Sequence, residues 1–326
     1  MRVHPLALAL ALALAACGGT GSTPPDASPA DAAPADALAP ADGAPADEYA
    51  PPDASPPLPY EVSMDFTPAA SESVFYAAPF PSEHLRRADG TLDLTRFPNL
   101  RRVEYARSLI ELAGRDSDGF GLTSAVYFQL GAAPDPAALP DFTRSLSPDA
   151  PAFLVSVDAA SPDRGRRYPI SVTYQADGGP YGAPRLLAMR LLQGTPLRPH
   201  TRYAAVVLRT LRSSTGAMLA PPASLTELIA GRRPSALSEP AYAHYRAALD
   251  ELTRASVPSP SIAGLAVFRT GDPGASLYRA HEALRGANNP LRVETAPTLL
   301  ETHASFCVYR ATVRVPVYQR GATPYD

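Results

Sequence analysis

The chain has 326 residues, a formal net charge of −3, 45% hydrophobic and 8% aromatic content, 38 Pro, two Cys and no Trp. All 29 basic residues are Arg, and the absence of Lys excludes Schiff-base and pyridoxal chemistry, a P-loop phosphate lysine and a Ser-x-x-Lys nucleophile, each of which needs a primary amine. Two cysteines cannot build a disulfide framework or a Cys-type zinc site, while the length suffices for one large domain or two small ones.

Met1-Arg2-Val3-His4-Pro5 forms a short positive start, and Leu6 to Ala16 is an unbroken Leu/Ala run ending in Leu14-Ala15-Ala16-Cys17. At about 1.5 Å per residue such a run reaches only about 16 Å, well short of the roughly 30 Å hydrocarbon core, so it reads as a signal peptide over 1–17. Its ending resembles the lipobox of bacterial lipoproteins, which implies that Cys17 is the lipid attachment site and the mature N-terminus. Gly18 after that cysteine, where inner-membrane retention uses Asp, implies an exported protein anchored in the outer membrane, on its periplasmic face or at the cell surface. An ordinary cleavage site with a coincidental Cys is the alternative.

Residues 18–59 are a Pro/Ala/Asp tract with quasi-repeats at Pro29-Ala30-Asp31, Pro34-Ala35-Asp36, Pro40-Ala41-Asp42 and Pro45-Ala46-Asp47. Proline removes backbone donors and favours polyproline II, and the carboxylates repel, so a disordered tether is expected, reaching about 120 Å over about forty residues. The tract holds seven acids and no base, leaving 25 acids against 28 Arg beyond the signal. An excess that small does not argue for nucleic acid as a partner. The pairs Arg101-Arg102, Arg166-Arg167 and Arg232-Arg233 read as solvated surface.

Beyond Tyr60 the pattern is mainly β. Val126, Phe128 and Leu130 alternate as a strand; 152–158 and 167–174 read as a hairpin around Asp163-Arg164-Gly165, with Tyr168, Ile170, Val172 and Tyr174 on one face. Tyr203 to Leu208 is apolar on both faces, as a covered central strand would be, and Gly264 to Thr270 is a shorter candidate. A helix is expected from the Ser238 cap through Tyr242, Tyr245, Leu249 and Leu252, and a second from Pro273 to Arg285. A long strand follows, with Cys307, Tyr309, Ala311, Val313, Val315 and Val317 on one face. Turns are expected at Asp89-Gly90, Asp177-Gly178-Gly179-Pro180 and Thr215-Gly216. The expected fold is a β-sandwich with a helical insertion or appended helices, over a body at 60–272 and a helix plus strand at 273–326.

Chemistry-bearing patterns are sparse. The sequence has neither a Gly-x-Ser-x-Gly elbow nor a His-Glu-x-x-His helix. His4, His84, His200, His244, His281 and His303 lack metal-ligand spacing, and His281-Glu282 are helix neighbours that do not face each other. Asp116-Ser117-Asp118-Gly119-Phe120-Gly121 opens like a calcium loop but lacks the distal Glu, so a glycine turn is expected. Cys307 is expected as an inert buried thiol, and Tyr242 and Tyr245 as packing residues. No catalytic, cofactor-binding or metal-binding residue is assigned.

Four phrases go beyond periodicity: Pro79-Phe80-Pro81-Ser82 with Asp89-Gly90-Thr91-Leu92; Asp135-Pro136 with Leu139-Pro140; Leu197-Arg198-Pro199-His200-Thr201-Arg202-Tyr203-Ala204; and Ala266-Val267-Phe268-Arg269-Thr270. Over residues 75–326 the chain resembles the N-terminal region of exported bacterial lipases and esterases of the virulence-factor type. The resemblance implies a bacterial Ig-like sandwich followed by an α/β-hydrolase domain with a Ser-His-acid triad. No position of this sequence matches a member of that triad. The expected function is a lipid-anchored, non-catalytic front module whose partners are the membrane and a hydrolase domain. The alternative is a stand-alone surface lipoprotein that binds a polymer or an envelope protein, and a third reading is an unfamiliar enzyme using Asp, His and Arg.

Overall fold

A computed structural model describes residues 59–286 and 292–314. The signal segment, Cys17 and most of the tether, and with them the expected strand positions Val315 and Val317, lie outside the described residues. The chain divides into two units, Pro51–Ser276 and Met1–Ala50 together with Leu277–Asp326.

In the first unit the elements run α1 (Glu104–Asp116), β1 (Val126–Gln129), β2 (Ala152–Ser156), β3 (Arg167–Tyr168), β4 (Ile170–Gln175), β5 (Leu186–Leu191), β6 (Arg202–Leu208), α2 (Ala223–Ile229), α3 (Glu239–Arg254) and β7 (Ile262–Arg269). Two antiparallel sheets result, one ordered β1-β5-β4 and the other β3-β2-β6-β7. Strands β2, β6 and β7 are apolar and buried on both faces, as two-sided cover requires. Helices α2 and α3 pack against β7, and β4 of the three-stranded sheet meets β2. Gly264 marks a close approach: a Cβ there would stand 2.9 Å from a Val62 methyl, on the strand segment that bridges to Leu130 beside β1.

The expected hairpin is half right. Leu154 pairs with Tyr168 and Val155 with Arg167, but the segment from Ile170 leaves β2 and pairs with β5 in the other sheet. Pro169 stands at the changeover, where a residue without an N–H ends the ladder. Ser145 Oγ then accepts the Ile170 amide at 3.0 Å, capping the new strand's start. Tyr168 and Ile170 still reach a common core, which is why the period-two pattern runs through the break. Gly165, at φ +76°, supplies the turn that this loop needs.

Helix α3 begins as its sequence dictates. Ser238 Oγ accepts the Ala241 amide, Pro240 sits in the first turn, and Tyr245, Ala248, Leu249 and Leu252 form the buried stripe. Strand β5 and helices α1 and α2 were not expected. Leu186 to Leu191 is an apolar run without alternation, which fits helix or strand alike until β1 and β4 supply partners on both edges.

A chain of ring contacts crosses the core from Tyr168 through Tyr203, Phe268 and Phe120 to Phe80, with centroids 5.4 to 6.1 Å apart and mostly edge-on. It joins three of the four resembling phrases. Tyr203 faces Phe268 in register, and Thr270 Oγ1 accepts the Thr201 amide at 3.0 Å while donating to the Arg198 carbonyl at 2.5 Å.

The second unit's described part comprises α4 (Ala275–Gly286), which begins two residues before the division, β8 (Arg292–Val293), β9 (Thr298–Thr302), β10 (Cys307–Arg310) and β11 (Val313–Arg314). The expected long strand is broken in two: β10 pairs with β9 and β11 with β8. Thr312 at the break pairs elsewhere, its carbonyl accepting the Glu294 amide at 2.8 Å. Cys307 is half-buried, which corrects the expected buried thiol, because no core forms behind the ribbon.

Candidate functional site

Three places combine chemistry-bearing side chains. The first lies where the segment before Arg86 meets α3. A short 3-10 turn (Glu83–Leu85) places Ser82, Glu83 and His84 against Tyr245 and His244. Ser82 Oγ lies 2.7 Å from the Tyr245 hydroxyl and 2.9 Å from His84 Nδ1. Edge strand β7 packs beside the same turn. Tyr245 is fully buried, so its proton needs an acceptor, and Ser82 Oγ is the one within reach. Ser82 then donates to His84 Nδ1, which leaves the His84 proton on Nε2. Burial holds this imidazole down at about 4 against the pull of the Asp93 charge, and it pushes the Tyr245 phenol up. Both are neutral at pH 7.

Glu83 is 3% exposed; its Oε2 lies 2.9 Å from His244 Nδ1, and its Oε1 has no hydrogen-bond partner. A serine, an imidazole and a carboxylate therefore do meet, but around a buried hydroxyl rather than at an opening. Ser82 is 0% exposed, and neither described groove includes it. A nucleophile must be open to substrate, and an imidazole at about 4 is a weak base at neutral pH. The cluster is a polar staple between the N-terminal segment, α3 and β7. Tyr245→Phe removes the donor to Ser82, so denaturant unfolding should show a loss of about 1–3 kcal/mol. An unchanged midpoint would refute the relay.

The second place is a groove of about 1030 Å³ along α1, with Leu94, Phe97 and Ile110 among its apolar lining and Arg87, Arg102, Glu72 and Glu111 among its polar one. Asn99 brackets the helix start: its Oδ1 accepts the Val103 amide, its Nδ2 donates to the Val103 carbonyl, and its own amide donates to Glu72 Oε2. Glu104 in the first turn and Arg115 in the last complement the helix dipole.

The third is the exposed apolar surface of α4 and the ribbons. Leu277, Tyr278, Leu284, Val293, Leu299, Leu300, Phe306, Tyr309 and Val313 are all exposed, Leu277 and Tyr278 by 75% and 70%. Leu299 and Leu300 are neighbours in β9, so they point to opposite faces, and both faces are bare.

The remaining sequence candidates serve structure. Asp118 Oδ1 accepts the Asp272 amide at 3.0 Å, and its Oδ2 stands 3.6 Å from His200 Nδ1, so the calcium-like phrase is a tie between two loops. His281 is exposed on α4, and His303 lies against Glu301 and stacks on Phe306. Tyr242 is partly buried, its hydroxyl donating to the Gly231 carbonyl. Of the arginine pairs Arg166-Arg167 and Arg232-Arg233, expected as solvated surface, all but Arg167 are exposed, and one member of each also pins a neighbour. Arg167 lies 3.8 Å over the Phe153 ring, with its acidity raised by burial, and Arg233 bonds Glu239 and the Leu237 carbonyl. Asp163 gathers Arg198, Tyr168 and Arg166, and the Arg198 bond above all holds its carboxyl below the usual range. Among the described residues no group of His, Cys, Asp and Glu could hold a metal ion. The sequence carried one faint signal of the buried staple, the consecutive Ser82-Glu83-His84; nothing in it pointed to His244 and Tyr245 as partners.

No protein-family model matches this chain, and no curated protein sequence matches it.

Proposed function

We propose that this chain is a lipid-anchored cell-envelope lipoprotein whose body is a non-catalytic Ig-like β-sandwich, and whose α4 and C-terminal ribbons dock a lipase- or esterase-type hydrolase domain. The observation that carries this reading is the bare apolar surface between Leu277 and Val313, where none of the described side chains is buried. A two-stranded ribbon is marginal in water, and one with both faces apolar needs a neighbour to cover it. Attachment through Cys17 at the outer membrane, with residues 18–59 as the leash, is supported by the Leu/Ala run and its Leu-Ala-Ala-Cys ending.

The test places a photo-crosslinking residue at Leu299 or Leu300 in producing cells and probes the adducts with a fluorophosphonate that labels serine hydrolases. The chain alone should neither take the label nor turn over short acyl esters, and the adduct should be labelled. Ester turnover by the chain itself, abolished by a serine-directed inhibitor, would overturn the reading. An unlabelled adduct with another envelope protein would favour the stand-alone binder.

A further inference from the structure

Helix α1 carries an apolar arc wider than the body covers. At about 100° per residue, Ile110 and Ala113 turn toward the body and pack there, with Gly114 buried and Ala106 half-buried on the same side. Tyr105, Leu109 and Leu112 recur at i, i+4 and i+7 on the adjoining stripe, and they are 74%, 46% and 45% exposed. Leu100 and Val103, also exposed, extend that stripe past the helix start. Arg101 and Arg102 stand at the same end, and among the described residues neither guanidinium has a hydrogen-bond or carboxylate partner, whereas Arg107 is held by Glu104 and Arg115 by Asp116. No helix among the described residues is long and apolar enough to cross a membrane, so α1 is suited to lying on a surface rather than spanning one.

We infer that α1 is an interfacial membrane-contact helix: its outer stripe enters the headgroup boundary of an anionic bilayer, and Arg101 and Arg102 meet lipid phosphates. An anionic lipid surface answers both features at once, the bare apolar stripe and the two arginines beside it that no ion pair among the described residues holds, Arg102 at the groove that also carries Glu72 and Glu111. The inference rests on the lipoprotein reading in one respect. A leash of about 120 Å from an acylated Cys17 keeps the body within reach of the bilayer, so a weak contact becomes intramolecular and orients the molecule.

The test uses the mature polypeptide beginning at position 17 with Cys17→Ser, which carries no lipid, in flotation with vesicles of phosphatidylethanolamine and phosphatidylglycerol and with vesicles of phosphatidylcholine alone. The parent should float with the anionic vesicles. Arg101→Gln and Arg102→Gln should each weaken that partition about fivefold and leave the phosphatidylcholine result unchanged. Leu109→Asp with Leu112→Asp should weaken it about tenfold or more at an unchanged melting curve, since both side chains are largely solvated in the free protein. Leu146→Asp with Met218→Asp, a comparably exposed pair outside α1, should leave binding as it was. The inference is overturned if the α1 double variant floats like the parent, or if this control pair proves to be the one that abolishes binding. It is equally overturned if sedimentation shows a dimer that the α1 variant dissociates without any vesicle binding. Palmitate labelling of the native chain judges the anchor separately: an unlabelled Cys17 removes the lipoprotein reading and leaves the vesicle result standing.

Discussion

Replacing His244 by Ala should cost about 2 kcal/mol of unfolding free energy at neutral pH, the scale expected when a buried acceptor loses its hydrogen-bond partner. Glu83 is 2% exposed at its side chain, and its Oε2 bonds His244 at 2.9 Å. Among the described residues its other oxygen has no partner, so the imidazole supplies the hydrogen bond that the side chain does make. Without it a buried carboxyl oxygen is left unsatisfied, which costs stability. The contrast is the double variant Glu83→Gln with His244→Ala, which removes the carboxyl along with its partner and should be more stable than His244→Ala alone. Urea denaturation of the three proteins decides it. A loss below about 1 kcal/mol in His244→Ala would mean that water entering from the 29%-exposed imidazole side already satisfies Glu83.

Acid should act through the half-buried His84 beside Ser82. An unfolded His takes its proton near pH 6.5, and His84 in the folded protein does so at about 4, chiefly because burial disfavours the imidazolium. Between those values the unfolded chain binds more protons, so stability rises with pH there. The contribution is complete above pH 6.5 and is lost as pH falls toward 4, by about 3 kcal/mol in all. The groups that face this ring are Ser82, Tyr245, the Phe66 ring and the Asp93 charge, and only Asp93 favours protonation. Asp163 and Glu251, held low chiefly by their bonds to Arg198 and Arg164, lose their contributions only below the ordinary carboxylate range. The His84 slope therefore falls between pH 4 and 6.5, where a variant lacking the imidazole reports it. His84→Asn, which offers Ser82 a carbonyl oxygen in place of Nδ1, should flatten the stability curve across that window. Parallel curves for the two proteins would contradict the assignment.

How much could be read beforehand depended on the range of the interaction. The Ser238 cap and the Tyr245–Leu249–Leu252 stripe are local, and α3 starts and packs as they require. Strand β6 was legible because a short run that is apolar on both faces suits a strand covered on both sides, and its register with β2 and β7 agrees. The break of the expected hairpin was not legible, although Pro169 was in plain view, since alternation survives when both halves face one core. Helix α1 escaped notice because its stripe is divided between packed and bare residues, and half of it gains nothing from the body.

The amino-acid order alone determined the Lys-free chemistry, the apolar run with its Leu-Ala-Ala-Cys ending, the Pro/Ala/Asp repeats, and most of the strand and turn positions. Each of these depends on neighbours within a few residues, where sterics, capping and side-chain period act directly. Tertiary structure decided the rest: the partition of strands between two sheets, the meeting of Glu83 with His244 across 161 residues, and the stripes at α1 and β9 that remain bare. The reason is physical. Period two or 3.6 says which residues share a face, but what covers that face is settled only when segments far apart in the chain select their layer and register.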